Sequence, residues 1–182
     1  QGDPSVPKTA SGAALFLFEA LGRRYTFVGA GDVDLTPWQR RLLAARTFHP
    51  NGERWRERYA WKGLRALETR SRNSRRALRR IGRPFDLVVQ IYGIFQTRGA
   101  PYVLYIDNTV ALSCRHWPEW VAMGERDLER VLAWERRLYG EARHVFCVGS
   151  PMAASVVEDY GVPDERVTVV GGGANFHELP AL

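Results

Sequence analysis

The stretch RHVFCVGSPMAASVVEDYGVPDERVTVVGGGANF, residues 143–176, decides the fold. It holds a short apolar run from His144 to Val148, a Gly-Ser break, a helical pattern from Met152 to Tyr160, a turn over Gly161 to Asp164, and a second apolar run from Val167 to Val170. Two buried strands joined by a crossover helix lie parallel in one sheet, so the stretch predicts a βαβ unit. The Gly149-Ser150 break falls at the carboxyl end of a strand, where open α/β sheets bind ligands. The second strand runs into Gly171, Gly172, Gly173, Ala174 and Asn175, a backbone able to bend sharply and therefore a candidate hinge.

Upstream of this unit the chain alternates helices and strands. Ser11 and Gly12 lead into AALFLFEALGRR, which reads as a largely buried helix capped by Ser11 and ended near Gly22, and Tyr25 to Val28 reads as a short strand. Thr36 caps a helix with Pro37 in its first turn, and His49-Pro50-Asn51-Gly52 breaks it. One long helix is expected from Glu53 to Ile81, its C-terminal half dense in arginine with a thin apolar stripe. FDLVVQIY (85–92) and YVLYI (102–106) read as core strands, 110–118 as irregular, and a long helix is expected from Pro118 through Tyr139. The alternation predicts an α/β fold with a doubly wound, mainly parallel sheet and helices on both faces. A helix followed by a strand implies a strand before it. The chain therefore reads as beginning just after its own first strand, leaving a sheet position for a neighbouring segment to fill or an altered sheet.

Composition narrows the function classes. A chain of 182 residues with 45% hydrophobic content supports one well-cored domain. Twenty-six Lys and Arg against 20 Asp and Glu leave a net charge of +6, which suits anionic partners. Cys114 and Cys147 make neither a disulfide framework nor a metal pattern, so a reducing, cytoplasmic setting is the simplest reading. No apolar run approaches the roughly 18–20 residues of a membrane span, so membrane contact is expected only at the surface. The four histidines lack metal-ligand spacing, and no Walker lysine loop, GxGxxG before a helix or GxSxG elbow is present. The commonest hydrolase, metalloenzyme and ATPase readings fall away, and no metal is expected.

The chemical candidates stand at strand ends and helix starts. YVLYI stops abruptly in Asp107-Asn108-Thr109, three polar groups costly to bury without partners and cheap at a cleft. Asp107 has a second reading as a cap of the following turn. Ser11 and Ser150 read as helix caps, and the helix starts near Gly12 and Pro151 would turn positive dipole ends toward a cleft. Glu135 reads as a structural partner for an arginine or a backbone amide. The arginine-rich helix reads as a solvated face, with docking to anionic lipid through the Arg pairs flanking Leu78 and Ile81 as the alternative.

Taken together, Ser-Gly before the first helix, PYVLYIDNT at a strand end, Trp134, Glu135, Leu138, Tyr139 and Ala142 at helical spacing, and VFCVGS…DYGVP…RVTVVGGGANF resemble the N-terminal, acceptor-binding half of family 4 glycosyltransferases of the GT-B fold. The resemblance covers nearly the whole chain and is weakest over 32–84. It implies that Gly2, Asp3, Ser11 and Gly12 form a loop facing the interdomain cleft and that Asp107, beside Asn108 and Thr109, holds or deprotonates a hydroxyl acceptor. It places Ser150 at the cleft and a hinge at Gly173 and Asn175. Residues 1–175 would be the acceptor-binding domain and 176–182 the start of a linker. The nucleotide-sugar donor, and no cofactor of this chain, would occupy an absent C-terminal domain, so the chain alone should not transfer sugar. The implied reaction moves a glycosyl group, with retention, to a sugar, glycolipid or other hydroxyl acceptor. Two rivals remain open: a non-catalytic module docking anionic membrane or other anions through residues 53–81, and a flavodoxin-like nucleotide-binding domain. Nucleic acid is the weaker partner, because the aromatic spacing fits helix packing better than base stacking.

Overall fold

The structure, a computed structural model, describes residues 13–172. In chain order its elements are α1 (Ala13–Gly22), α2 (Pro37–Arg46), α3 (Gly52–Ala60), α4 (Leu64–Ile81), β1 (Val88–Ile91), β2 (Tyr102–Ile106), α5 (Val110–His116), α6 (Glu125–Glu141), β3 (Val145–Cys147), α7 (Ser150–Glu158) and β4 (Val167–Val169). The four strands form one parallel sheet in the order β1-β2-β3-β4. This is the α/β, Rossmann-like doubly wound class that the alternation predicts. In the β3-α7-β4 unit Val145 pairs with Val167 and Cys147 with Val169, as the opening stretch requires.

Strand alternation divides the sheet residues. Tyr102, Leu104, Ile106, Val145 and Cys147 are buried in one core with Leu67 of α4, Val131, Trp134 and Leu138 of α6, and Val156 of α7. Of the alternate residues, Tyr105 and Phe146 are only half-buried, while Val103 is buried. Val110 of α5 joins the same core, so α5, α6 and α7 share it.

Several boundaries differ from expectation. Tyr25 to Val28 is not a strand: it pairs with none of the four strands, and Tyr25 and Phe27 are 69% and 57% exposed. The residues that follow lie along α4 instead, where a Cβ on Gly29 would sit 3.4 Å from the Ile81 side chain. The helix expected over 53–81 is two helices, broken at Trp61, Lys62 and Gly63. A Cβ at Gly63 would fall 2.1 Å from the Arg58 carbonyl oxygen, so only glycine passes there. The segment expected to be irregular after residue 109 is α5, because the Thr109 hydroxyl accepts the Leu112 N–H at 3.0 Å as an N-cap. The helix expected from Pro118 opens as a 3-10 turn, Pro118–Trp120, and resumes only at Glu125. Thr36 caps α2 as read, in a reciprocal capping box with Gln39.

Arginine is not all on the surface. Arg70, within the cationic run, is 1% exposed and packed among backbone oxygens. Its guanidinium donates to the carbonyls of Ala60 at 2.6 Å and Trp61 at 2.9 Å, and to Asp34 Oδ1 at 3.1 Å. Burial alone would raise the Asp34 carboxyl, but the Leu35 N–H and the Arg70 charge outweigh it and hold it below its ordinary value. The ion pair therefore fastens the end of α3 and the loop before α2 to the inner face of α4. Removing one partner strands a buried charge. Asp34→Ala should cost about 3 kcal/mol by denaturant unfolding, whereas Arg72→Ala, which breaks the exposed pair with Glu68, should leave the midpoint nearly unmoved.

Candidate functional site

The carboxyl ends of β1 and β2 open into a cleft of ≈ 230 Å³. Tyr92 and Gly93 follow β1, Asp107, Asn108 and Thr109 follow β2, and Trp61 with Lys62 from the α3–α4 break and Trp134 with Glu135 from α6 complete the lining. This is the edge of an open parallel sheet where ligands bind. A more open depression lies at the opposite, amino end of the strands, among Thr97, Arg98, Tyr102 and Arg137, away from the strand-end polar groups.

The wall after β1 is held under strain. Tyr92 adopts φ 67°, a left-handed conformation that costs a non-glycine residue about 1–2 kcal/mol. The buried Gln90 side chain enforces it. Its amide donates to the Tyr92 carbonyl at 3.0 Å and the Phe95 carbonyl at 2.7 Å, and its oxygen accepts from the Thr97 hydroxyl at 2.9 Å and the Thr97 N–H at 3.3 Å. All four hydrogen-bonding positions of the amide are filled, which explains a glutamine inside a core strand. Gly93 lets the chain pass close beneath Tyr139, whose phenolic oxygen would lie 3.2 Å from a Cβ there.

The floor is a buried carboxylate. Glu135 accepts from the Val110 N–H at 3.0 Å, from the Tyr139 hydroxyl at 3.0 Å and from the Tyr160 hydroxyl in a short bond. Burial pushes its carboxyl up, opposed by the hydrogen bonds from Tyr160, Val110 and Tyr139. Tyr160 also accepts the Ala111 N–H at 3.0 Å, so two amides at the start of α5 close onto this network. A second relay runs beside it: Arg115 donates to Asp159 at 2.7 Å, Ser155 donates to Asp159 at 2.6 Å, and the Thr109 and Ser155 hydroxyls lie 2.7 Å apart.

Against that frame Asp107 stands out. It is exposed at the cleft, and its carboxylate makes no hydrogen bond or ion pair among the described residues. The cap of the following turn falls to its neighbours, since Asn108 Oδ1 accepts the Thr109 N–H at 2.8 Å and Thr109 caps α5. Asn108 is turned to Ser113, donating at 2.9 Å. The phenols of Tyr92 and Tyr105 are pushed up by burial first and by the Asp107 charge second. Trp134 brings an indole N–H that is buried without a partner.

Ser150 is not the cap expected of it. Gly149 holds the N-cap position of α7 without a side-chain bond, and Ser150 is the exposed first residue of the helix, outside the cleft lining. Glu135 does bind a backbone amide as expected, but its other partners are tyrosines rather than an arginine. Gly2, Asp3, Ser11, Gly12, Gly173 and Asn175 lie outside the described residues. Among the described residues no cluster of His, Cys, Asp or Glu could hold a metal ion, and no helix is long and apolar enough to cross a membrane.

The family model for Glycosyltransferase Family 4 matches residues 33–178. The chain belongs to glycosyltransferase family 4. No curated protein and no solved structure matches it. The span shared with the glycosyltransferase family takes in every residue lining the cleft, together with the Asp159-Tyr160-Gly161-Val162 run. That run has a physical reading here. Asp159 ends the Arg115 relay, Tyr160 reaches Glu135, Gly161 takes φ 70° to leave α7, and Val162 returns to the core.

Two measurements test the buried floor. Glu135→Ala leaves the Val110, Tyr139 and Tyr160 donors without an acceptor and should cost about 3 kcal/mol or more. The pH dependence has a definite sign. The unfolded chain releases the Glu135 proton at a lower pH than the folded one. The Glu135 contribution to stability is therefore full below the ordinary carboxyl value and declines as pH rises through the folded value. As pH rises above the ordinary carboxyl value of about 4, wild type should lose stability relative to Glu135→Gln, and a difference that stays constant with pH would show that the carboxyl is not shifted.

Proposed function

We propose that this domain is the acceptor-binding half of a GT-B glycosyltransferase and that the cleft at the ends of β1 and β2 receives the acceptor. The observation that carries the reading is Asp107, a carboxyl at the carboxyl end of the central strand β2, facing a cleft and without a partner among the described residues, while Asn108 and Thr109 are hydrogen-bonded to neighbouring groups. An unpartnered carboxylate can accept the proton of an incoming hydroxyl. In the proposed reaction the acceptor oxygen, its proton drawn toward Asp107, forms a bond to the anomeric carbon of a sugar on the face from which the nucleoside diphosphate departs, the electron pair of the broken bond leaving on the diphosphate. The donor is held by a second domain across the cleft, and the configuration at the anomeric carbon is retained.

The remaining groups serve recognition. At ≈ 230 Å³ the cleft is below the roughly 300–1,000 Å³ of ordinary ligand pockets, which suits one ring or headgroup entering from solvent and completed on its open side by the donor domain. Trp61, 47% exposed, offers an aromatic face to a sugar ring, and the Trp134 N–H offers a buried donor to one hydroxyl. Lys62 at the rim forms no ion pair among the described residues and favours an acceptor with a negative group near the reacting hydroxyl.

The test is sugar-nucleotide turnover against a panel of hydroxyl acceptors, using the protein that carries both domains. Asp107→Ala should lower kcat by about 100-fold or more and leave folding stability within about 0.5 kcal/mol, because the side chain is exposed and unpartnered. Undiminished transfer by that variant would remove Asp107 from the mechanism.

A further inference from the structure

Helix α4 presents two faces with different chemistry. Ala66, Leu67, Arg70, Ser71 and Ser74 are buried, and at 100° per residue they cluster on one side. Arg65, Arg72, Arg75, Arg76, Arg79 and Arg80 are all exposed and fall on the opposite side, a cationic stripe about 22 Å long. Glu68 is the one acid on that stripe, and it is engaged with Arg72 at the N-terminal end. Arg75, Arg76, Arg79 and Arg80 form no ion pair among the described residues. Six guanidinium groups on one face repel one another, a cost that an anionic surface removes.

Apolar side chains adjoin the cationic end. The chain at Gly29 and Gly31 runs against Ile81 and Ala77 in the last turns of α4. Phe27, two residues before Gly29, is therefore within about 7 Å of chain from the final turn. Phe27 and Tyr25 are both more than half exposed, and Arg23, Arg24 and Arg83 lie exposed in the flanking segments. Arginines that pair with phosphate, bordered by aromatic rings that can enter the acyl boundary, are the two components of binding at a membrane surface.

We propose that the arginine face of α4, with Phe27 and Tyr25 at its C-terminal end, docks the protein on an anionic lipid bilayer. A lipid surface fits better than nucleic acid because the stripe is a convex helix face with its apolar groups at one edge, whereas single strands are held in a charged groove with aromatic rings interleaved along it. Docking of this kind does not depend on the acceptor-binding reading of the cleft. The opposite face of the same helix, through Leu67, belongs to the cleft lining, so docking through the stripe would fix the cleft's orientation above the lipid.

Vesicle sedimentation with the whole chain tests the proposal, comparing phosphatidylcholine alone with phosphatidylcholine containing about one-third phosphatidylglycerol. Binding is expected to the anionic vesicles only and to fall by about tenfold or more between low salt and about 0.5 M salt. Arg75→Gln with Arg76→Gln, and separately Arg79→Gln with Arg80→Gln, should each weaken binding by about tenfold. Phe27→Ser should weaken it further, whereas Arg54→Gln with Arg56→Gln, on α3, should not. All replaced arginines are exposed, and circular dichroism confirms the fold of each variant. Absence of binding to anionic vesicles at low salt, equal binding to neutral vesicles, or unchanged binding by both stripe variants would overturn the proposal. Tighter binding to a duplex or single-stranded oligonucleotide than to the anionic vesicles would overturn it in favour of nucleic acid.

Discussion

The Glu135 carboxylate is the constraint on which the cleft depends. It is buried, yet its partners come from three segments: Val110 at the start of α5, Tyr139 one turn along its own helix, and Tyr160 just past α7. A carboxylate in an apolar core is tolerated only when donors surround it, and the donors here are fixed in place by the carboxylate in return. The start of α5 is thereby set against α6 and α7. Thr109 caps α5 and Asn108 precedes it, so the position of Asp107 relative to β2 follows from a bond made on the opposite side of the loop. Packing of Leu138, Val131 and Val156 sets how far the helices lie from the sheet. Glu135 sets how the strand-end residues are turned.

A second constraint works in the same way from the other side. Gln90 on β1 satisfies all its polar positions within the loop 92–97, and in doing so holds Tyr92 in a conformation the residue would not choose. Arg70 does the equivalent for the third wall, tying the carbonyls of Ala60 and Trp61 so that Trp61 and Lys62 turn into the cleft instead of continuing a helix. In each case a single long polar side chain, buried and fully partnered, fixes an irregular segment that has no ladder or helix of its own.

The reason part of the fold was legible in the sequence follows from this. Val145 to Cys147, Tyr102 to Ile106 and the α7 helix are specified by apolar periodicity, which is local, and the structure places them within a residue or two of the reading. The break at Trp61 to Gly63 has no periodic signal: Gly63 is its one local mark in a run otherwise made mostly of helix-forming residues, and the break is held by Arg70 reaching back nine residues to the Trp61 carbonyl. Tyr25 to Val28 failed for the opposite reason. Its composition suits a strand, but a strand is defined by its partner, and none of the four strands pairs with it. The place of Asp107 at a strand end beside the cleft was legible because a carboxyl ending an apolar strand is chemically conspicuous. The backbone-amide bond of Glu135 was legible too, but its tyrosine partners and the loop-holding bonds of Gln90 were not, since those residues read as ordinary helix or strand positions until their distant partners are known.

The arginines of α4 show why composition alone misassigns them. The run from Arg65 to Arg80 is uniform in sequence, but the helical repeat sends Arg70 inward and the other six outward. The inward one is held by a carboxylate and two carbonyls and acts as an internal tie. The outward ones lack such partners, apart from the pair with Glu68, and their charge remains available. The same residue type at one spacing thus does structural work on the cleft side of the helix and leaves an unneutralised field on the other. Charge reversal along the stripe and truncation of Arg70 should therefore separate cleanly. One would alter what the surface attracts without moving the unfolding midpoint, and the other would lower stability without altering the surface.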